Sequence, residues 1–181
     1  MLRVATYNIH CGVGNDGAYD LHRIAGVLRR SQADIACLQE VEVNQVARKV
    51  RKWSAAHADN QAEIVGRAAG LNQHRFVASL DAFLAEEDGR AYRCCSSEVL
   101  VRDRQCQSQY GIAIVSRLRI LDSRELHFSC PAPDDDLMFM DREQQPRTAM
   151  AVLVEAPAAA GGQAPAAAGG LGKAVVSCFG S

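Results

Sequence analysis

The segment from Met1 to Val41 constrains the fold more than any other part of the chain. Residues 2 to 9 alternate, with Leu2, Val4 and Thr6 on one side and Ala5, Tyr7 and Ile9 on the other, the period of a strand. A run of turn formers follows Asn8-Ile9-His10, namely Cys11-Gly12-Val13-Gly14-Asn15-Asp16-Gly17. Asp20 then stands where a helix N-cap is wanted, ahead of Leu21, Ile24, Ala25, Val27 and Leu28 at helical spacing, and the helix is expected to stop near Ser31. Ile35-Ala36-Cys37-Leu38 is short, apolar and bounded by polar residues, so it reads as a buried strand ending on Gln39-Glu40-Val41. A crossover of this length between neighbouring strands predicts a parallel pair with the helix packed on one sheet face.

Beyond that unit the pattern changes. Asn44 to Leu71 reads as helix with a break near His57 to Asn60, the second part running from Gln61 to Leu71; Arg48, Lys49, Arg51 and Lys52 in the first part read as a solvated face. Strands are expected at His74 to Ser79, Gly111 to Ser116, Arg119 to Phe128, Thr148 to Val154 and Lys173 to Phe179. Glu86 to Cys106 is polar without clear period, and Pro131 to Asp136 is an acidic loop. The stretch 156–170 nearly repeats an Ala-Pro-Ala-Ala-Ala-Gly-Gly unit and offers no bulky side chain to bury, so it reads as a low-complexity insertion between two strands of one domain spanning 1–181.

Composition narrows the function classes. With 20 basic and 21 acidic residues in 181, and a net charge of −1, there is no overall positive field, so charge gives no nucleic-acid signature. The apolar runs are strand-sized, far short of the roughly 18 residues that span a bilayer, and the amino terminus has no secretory pattern, so an intracellular, cytoplasmic location is expected. Seven cysteines without a C-x-x-C argue for reduced thiols acting as small hydrophobes, and neither they nor the five histidines have zinc-site spacing. No feature points to a defined protein partner.

Two readings compete for the first forty-one residues. Gly12-x-Gly14-x-x-Gly17 between a strand and a helix, with Glu40 at the end of the next strand, matches the dinucleotide-binding pattern. That pattern needs its second glycine at the helix start, whereas Asp20 is the cap here, and the chain does not go on alternating strand and helix. The other reading starts from the polar strand ends. Asn8 and Glu40 at the carboxyl ends of neighbouring parallel strands would offer two hard oxygen donors at the crevice where such sheets bind ligands, a set that suits Mg²⁺ with water and substrate phosphate. A turn-capping Asn8 and a surface Glu40 are the plain alternatives.

The residues also carry a resemblance. Ala5-Thr6-Tyr7-Asn8-Ile9-His10, the helix from Asp20 and Ala33-Asp34-Ile35-Ala36-Cys37-Leu38-Gln39-Glu40-Val41 resemble the opening of the endonuclease/exonuclease/phosphatase superfamily. Tyr110-Gly111-Ile112-Ala113-Ile114-Val115-Ser116-Arg117 is similar to its G-N-A-I-L-S-R strand, with Ile112 in place of the asparagine, and Gln145-Pro146-Arg147-Thr148-Ala149 is similar to its P-R-G/T-A turn. Within the superfamily the look is nearest the sphingomyelinase-like metal-dependent hydrolases. The resemblance implies an α/β fold of the four-layer α/β/β/α, deoxyribonuclease I-like type. It implies Mg²⁺ or Mn²⁺ as cofactor, held by Glu40 with help from Asn8, and a phosphodiester or phosphomonoester substrate attacked by water. Under it, His10 either touches phosphate or holds the loop start. Arg147 either contacts substrate, pairs with a site carboxylate or caps a strand end.

The later family motifs, T-H-L, G-D-x-N and a D-H pair that supplies the general base, have no counterpart before Gly180-Ser181. The expectation is therefore a partial domain whose second half is missing: a Mg-dependent phosphodiesterase-type hydrolase in descent, inactive as these residues alone. A non-catalytic binding module or gene fragment is the first alternative, and the dinucleotide-binding domain the second.

Overall fold

The computed structural model describes residues 1–46, 55–83, 91–94, 107–128, 147–157 and 171–180. The opening unit forms as the pattern demands. Strand β1 (Val4–Asn8) and strand β2 (Ile35–Val43) pair in parallel from Val4 opposite Ile35 to Asn8 opposite Gln39, joined through helix α1 (Leu21–Ser31). The Asp20 side chain accepts from Arg23 N at 2.9 Å, which satisfies one of the open amides of the first helical turn. Gln32 adopts a left-handed conformation that ends the helix.

Helix α2 (Gln61–Ala69) is capped by Asn60 and terminated by the left-handed Gly70. Of the helix expected before it, 44–46 and 55–59 are non-helical, and 47–54, with the basic cluster, lie outside the described residues. Four of the later strands are longer than their apolar cores suggested, β3 (Gln73–Phe83), β5 (Gln107–Ser116), β7 (Thr148–Pro157) and β8 (Leu171–Gly180), while β6 (Ile120–His127) is one residue shorter at each end than expected. One strand had no sequence signal, β4 (Ala91–Cys94), inside the polar stretch before Cys106. The acidic loop at Pro131 and positions 158–170 of the insertion lie outside the described residues; β7 and β8 flank the latter.

The strands make two sheets. The first has the order β1-β2-β5-β3-β4, parallel only at β1 and β2; the second is the antiparallel meander β6-β7-β8. Ala36, Leu38, Ala113 and Val115 of β2 and β5 bury against Ile24, Leu28, Val65 and Ala69 of the two helices. Their alternate neighbours Ile35, Cys37, Ile112 and Ile114 bury against Met150, Val152, Val154 and Val176 of the second sheet. Both faces of β2 are thus covered, which is why its first four residues are continuously apolar rather than alternating. The described layers are helix, sheet and sheet, a partial α/β sandwich; no described helix covers the outer face of the second sheet. No helix among the described residues is long and apolar enough to cross a membrane.

Candidate active site

Strand β2 is interrupted where it matters. Leu38 pairs with Ala113 and Val41 with Gly111, so Gln39 and Glu40 together stand opposite the single residue Ile112. This is a β-bulge, and it has a packing consequence. Leu38 and Val41 both belong to the helix-facing core, although three steps along an unbroken strand would put them on opposite faces. The extra residue absorbs the difference, and Glu40 takes the left-handed backbone conformation, φ +55°, that glycine ordinarily supplies in such a bulge. For an L-residue that conformation costs on the order of 1–2 kcal/mol. Strand β3 carries a matching irregularity at Ser79, between Ala78 opposite Gly111 and Leu80 opposite Tyr110. Gly111 sits between the two: a Cβ there would lie 1.9 Å from Val77 O, so only glycine fits.

The bulge aims Glu40 at Asn8. The Asn8 Nδ2 amide donates to Glu40 Oε1 at 2.8 Å, and Asn8 Oδ1 accepts from the His10 backbone N–H, also at 2.8 Å. Because a backbone N–H only donates, it fixes which end of the Asn8 amide faces the carboxylate. Among the described residues Glu40 Oε2 has no hydrogen-bond partner, and Glu40 is half-buried beside the carboxyl end of β1, where the parallel pairing stops and β2 itself runs on to Val43. The alternation of β1 does not extend to His10. The strand ends at Asn8, and His10 opens a 3₁₀ turn, His10–Gly12, with φ +47°. Its ring Nδ1 lies 3.2 Å from Val13 O, so the imidazole is engaged with its own loop.

Arg147 is exposed immediately before β7, its carbonyl accepting from Phe128 N at 3.0 Å. Thr148 pairs with Gly180, and a Cβ on Gly180 would lie 3.9 Å from Gln39 Cγ. The start of β7 therefore sits at the same end of the sandwich as Glu40, without an ion pair between Arg147 and any described carboxylate.

A second group of polar residues lies behind this end, and nothing in the spacing announced it. Glu42 is wholly buried, and its Oε2 is 3.3 Å from His57 Nε2. Asp59 N donates to His57 Nδ1 at 3.2 Å, which assigns the ring hydrogen to Nε2 and points it at Glu42. Gln61, also fully buried, uses its whole amide: Oε1 accepts from Glu42 N at 2.9 Å, and Nε2 donates to Cys11 O at 2.9 Å and to Tyr19 Oη at 3.4 Å. Tyr19 stacks on His57 with centroids 5.0 Å apart and donates to Asp59 Oδ2 at 2.8 Å. Burial, with the Asp59 carboxylate adding to it, holds the Tyr19 phenol well above its usual range, so it stays a donor. The group ties β2 to the loop that begins at His10. Gly12, φ +82°, leaves room for it, since a Cβ would lie 2.6 Å from the Tyr19 ring.

The glycine loop does not form a dinucleotide cradle. Gly12 closes the 3₁₀ turn, Gly17 N donates to Gly14 O at 2.8 Å, and α1 begins only at Leu21, so none of the three glycines opens a helix. No group of three His, Cys, Asp or Glu side chains converges as a metal cage among the described residues. A single aimed carboxylate with an uncommitted oxygen fits Mg²⁺ or Mn²⁺ of the kind that keeps most of its waters and takes phosphate as a further ligand.

The described residues thus form a partial two-sheet α/β sandwich with an amide-pinned carboxylate beside the carboxyl end of its parallel pair. The comparisons then fix the family. The profile of the Endonuclease/Exonuclease/phosphatase family matches residues 5–167, and the chain belongs to that family. A crystal structure of an endonuclease/exonuclease/phosphatase from Beutenbergia cavernae DSM 12333 is similar over 98% of this chain and 37% of its own, with TM-score 0.55 and 24% identity, a likeness of fold. An endonuclease/exonuclease/phosphatase family protein from Leptotrichia buccalis C-1013-b aligns over 85% of this chain and 48% of its own, at TM-score 0.46 and 12% identity. This chain thus spans well under two thirds of either protein. No curated protein matches it.

Proposed function

We propose that this chain carries the metal-binding half of a Mg²⁺- or Mn²⁺-dependent phosphoester hydrolase, with a phosphodiester or phosphomonoester as substrate class. The observation that carries the reading is Glu40 itself: a half-buried carboxylate on a left-handed backbone, pinned at one oxygen by Asn8 and uncommitted at the other. Glu40 would hold the cation and Asn8 would hold Glu40. A bound divalent cation supplies charge stabilisation at a phosphoryl oxygen. The protein's part is to keep the carboxylate pre-aimed, so that little reorganisation accompanies binding. Arg147, exposed at the same end, would meet an anionic substrate.

We also propose that this site is catalytically incomplete on its own. A general base must reach the attacking water, and the described histidines are placed elsewhere: His57 is buried on Glu42, His10 is turned to Val13, His22 lies on α1, His74 near the start of β3 and His127 on β6. Val175 and Phe179 on the edge strand β8 are 68% and 67% exposed, apolar surface of the sort a further segment of such a domain covers.

The test is hydrolysis of bis(p-nitrophenyl) phosphate with Mn²⁺ by the 181-residue chain and by Glu40→Gln. Only trace turnover is expected, abolished by the substitution. Equal, measurable rates for the two proteins would remove Glu40 from the chemistry, and vigorous turnover by the parent would remove the claim of incompleteness.

A further inference from the structure

A pair of thiols stands apart from Glu40 and is used by nothing described so far. Cys37 lies on β2 and Cys178 on β8, so they belong to different sheets and face each other across the inter-sheet core. Their placement is reciprocal. Cys37 Sγ is 3.6 Å from the carbonyl of Ser177, the residue before Cys178, and Cys178 Sγ is 3.8 Å from the carbonyl of Leu38, the residue after Cys37. Gln39 Nε2 donates to Cys178 Sγ at 3.5 Å. Cα atoms of β2 and β8 come within 8 Å of each other, closer than the roughly 10 Å at which sheets usually pack.

Both cysteines are buried in the inter-sheet core, yet they line a cleft of about 380 Å³, together with Thr6, Gln39, Ser177 and Phe179. The two sulfurs are also unequal. Gln39 Nε2 donates to Cys178 Sγ, a donor that favours the thiolate there, while among the described residues no such donor reaches Cys37 Sγ. Cys178 is thus placed as the attacking sulfur and Cys37 as the resolving one.

We propose that Cys37 and Cys178 form an oxidation site for hydrogen peroxide that closes to a disulfide between the two sheets. The Cys178 thiolate attacks one peroxide oxygen; the O–O bond breaks, leaving a Cys178 sulfenic acid and hydroxide, which takes up a proton to become water. The Cys37 sulfur then attacks the sulfenic sulfur, forming the S–S bond as the S–O bond breaks; the departing hydroxide takes the Cys37 proton as a second water. Two thiols lose two electrons and one peroxide gains them. The product staples β2 to β8, far apart in sequence, at the end of the sandwich that carries Glu40. The inference does not rest on the metal reading.

The test is treatment of the reduced chain with stoichiometric hydrogen peroxide, followed by denaturing alkylation and peptide mapping. The expected product is a linked peptide pair containing Cys37 and Cys178, two hydrogens lighter than its parts, with the melting temperature raised by several degrees. The same link should form when Cys11, Cys94, Cys95, Cys106 and Cys130 are all replaced by Ser. In Cys37→Ser, dimedone should trap a sulfenic acid on Cys178. Recovery of both cysteines fully alkylated from the wild-type chain would overturn the proposal. Over-oxidation of Cys178 without a link to Cys37 would overturn it equally.

Discussion

Glu40 and Glu42 are the same residue type on the same strand, two positions apart, yet they have opposite fates. Glu40 sits in a bulge with strained backbone, half open to solvent, with one carboxylate oxygen held by Asn8. Glu42 lies past the bulge, sealed from solvent, with His57 at its carboxylate and Gln61 at its amide. The first spends conformational energy to keep an oxygen available; the second commits its groups to holding a loop in place. A strained backbone holds the open carboxylate, and satisfied hydrogen bonds hold the buried one. The two regions are coupled through Gln61, which fixes Cys11 O and so the turn from which His10 N–H orients Asn8.

The comparison breaks most visibly on the buried side. His57→Ala takes the imidazole N–H from a fully buried carboxylate, a hydrogen bond to a charged group worth roughly 1.5–3 kcal/mol. Urea unfolding should show a loss in that range, while a change below about 1 kcal/mol would mean the cluster is not holding the loop. On the strained side the sign reverses. Glu40→Gly and Glu40→Ala both delete the carboxylate, but only Gly accepts φ +55° without cost. Glu40→Gly should be the more stable of the two by about 1 kcal/mol by thermal unfolding, and equal stabilities would argue against a left-handed Glu40.

The smallest effect belongs to the loop between β1 and α1, where Arg23 donates to Asp16 at 2.6 and 3.0 Å. That hydrogen-bonded guanidinium lowers the Asp16 pKa from 3.8 to about 2. A depressed folded-state value contributes stability that is fully present above the unfolded pKa and lost as pH falls through the folded one. The wild type should therefore lose a small increment over Asp16→Asn between about pH 4 and 2, and salt should shrink it because the pair is exposed. Melting curves of the two proteins that stay parallel through that window would deny the pair any role.

Much of the scaffold was legible because local signals and packing agree. Asp20 caps α1 as its position implied, the parallel pair follows from crossover length, and the apolar runs of β5, β7 and β8 mark strands covered on one or both faces. Asn8 and Glu40 were also legible as polar ends of adjacent strands, and they do meet. Three things were not legible, each for a physical reason. The bulge has no glycine at its left-handed position, so nothing at Glu40 advertises it. The Glu42, His57, Gln61 and Tyr19 cluster is assembled from β2, the segment before α2 and the loop before α1, separations at which periodicity carries no information. The place of His10 is set by a 3₁₀ turn that begins there, which the alternation of the preceding strand does not announce.

The central claim is that the bulge presents Glu40, and not Glu42, to a divalent cation. The most direct measurement is Mn²⁺ binding by isothermal titration of the 181-residue chain and of Glu40→Gln, with Mg²⁺ competition and with circular dichroism to confirm that both are folded. One Mn²⁺ per chain, displaced by Mg²⁺ and lost in Glu40→Gln, is the predicted result. Binding of equal strength in the parent and in folded Glu40→Gln would contradict the account.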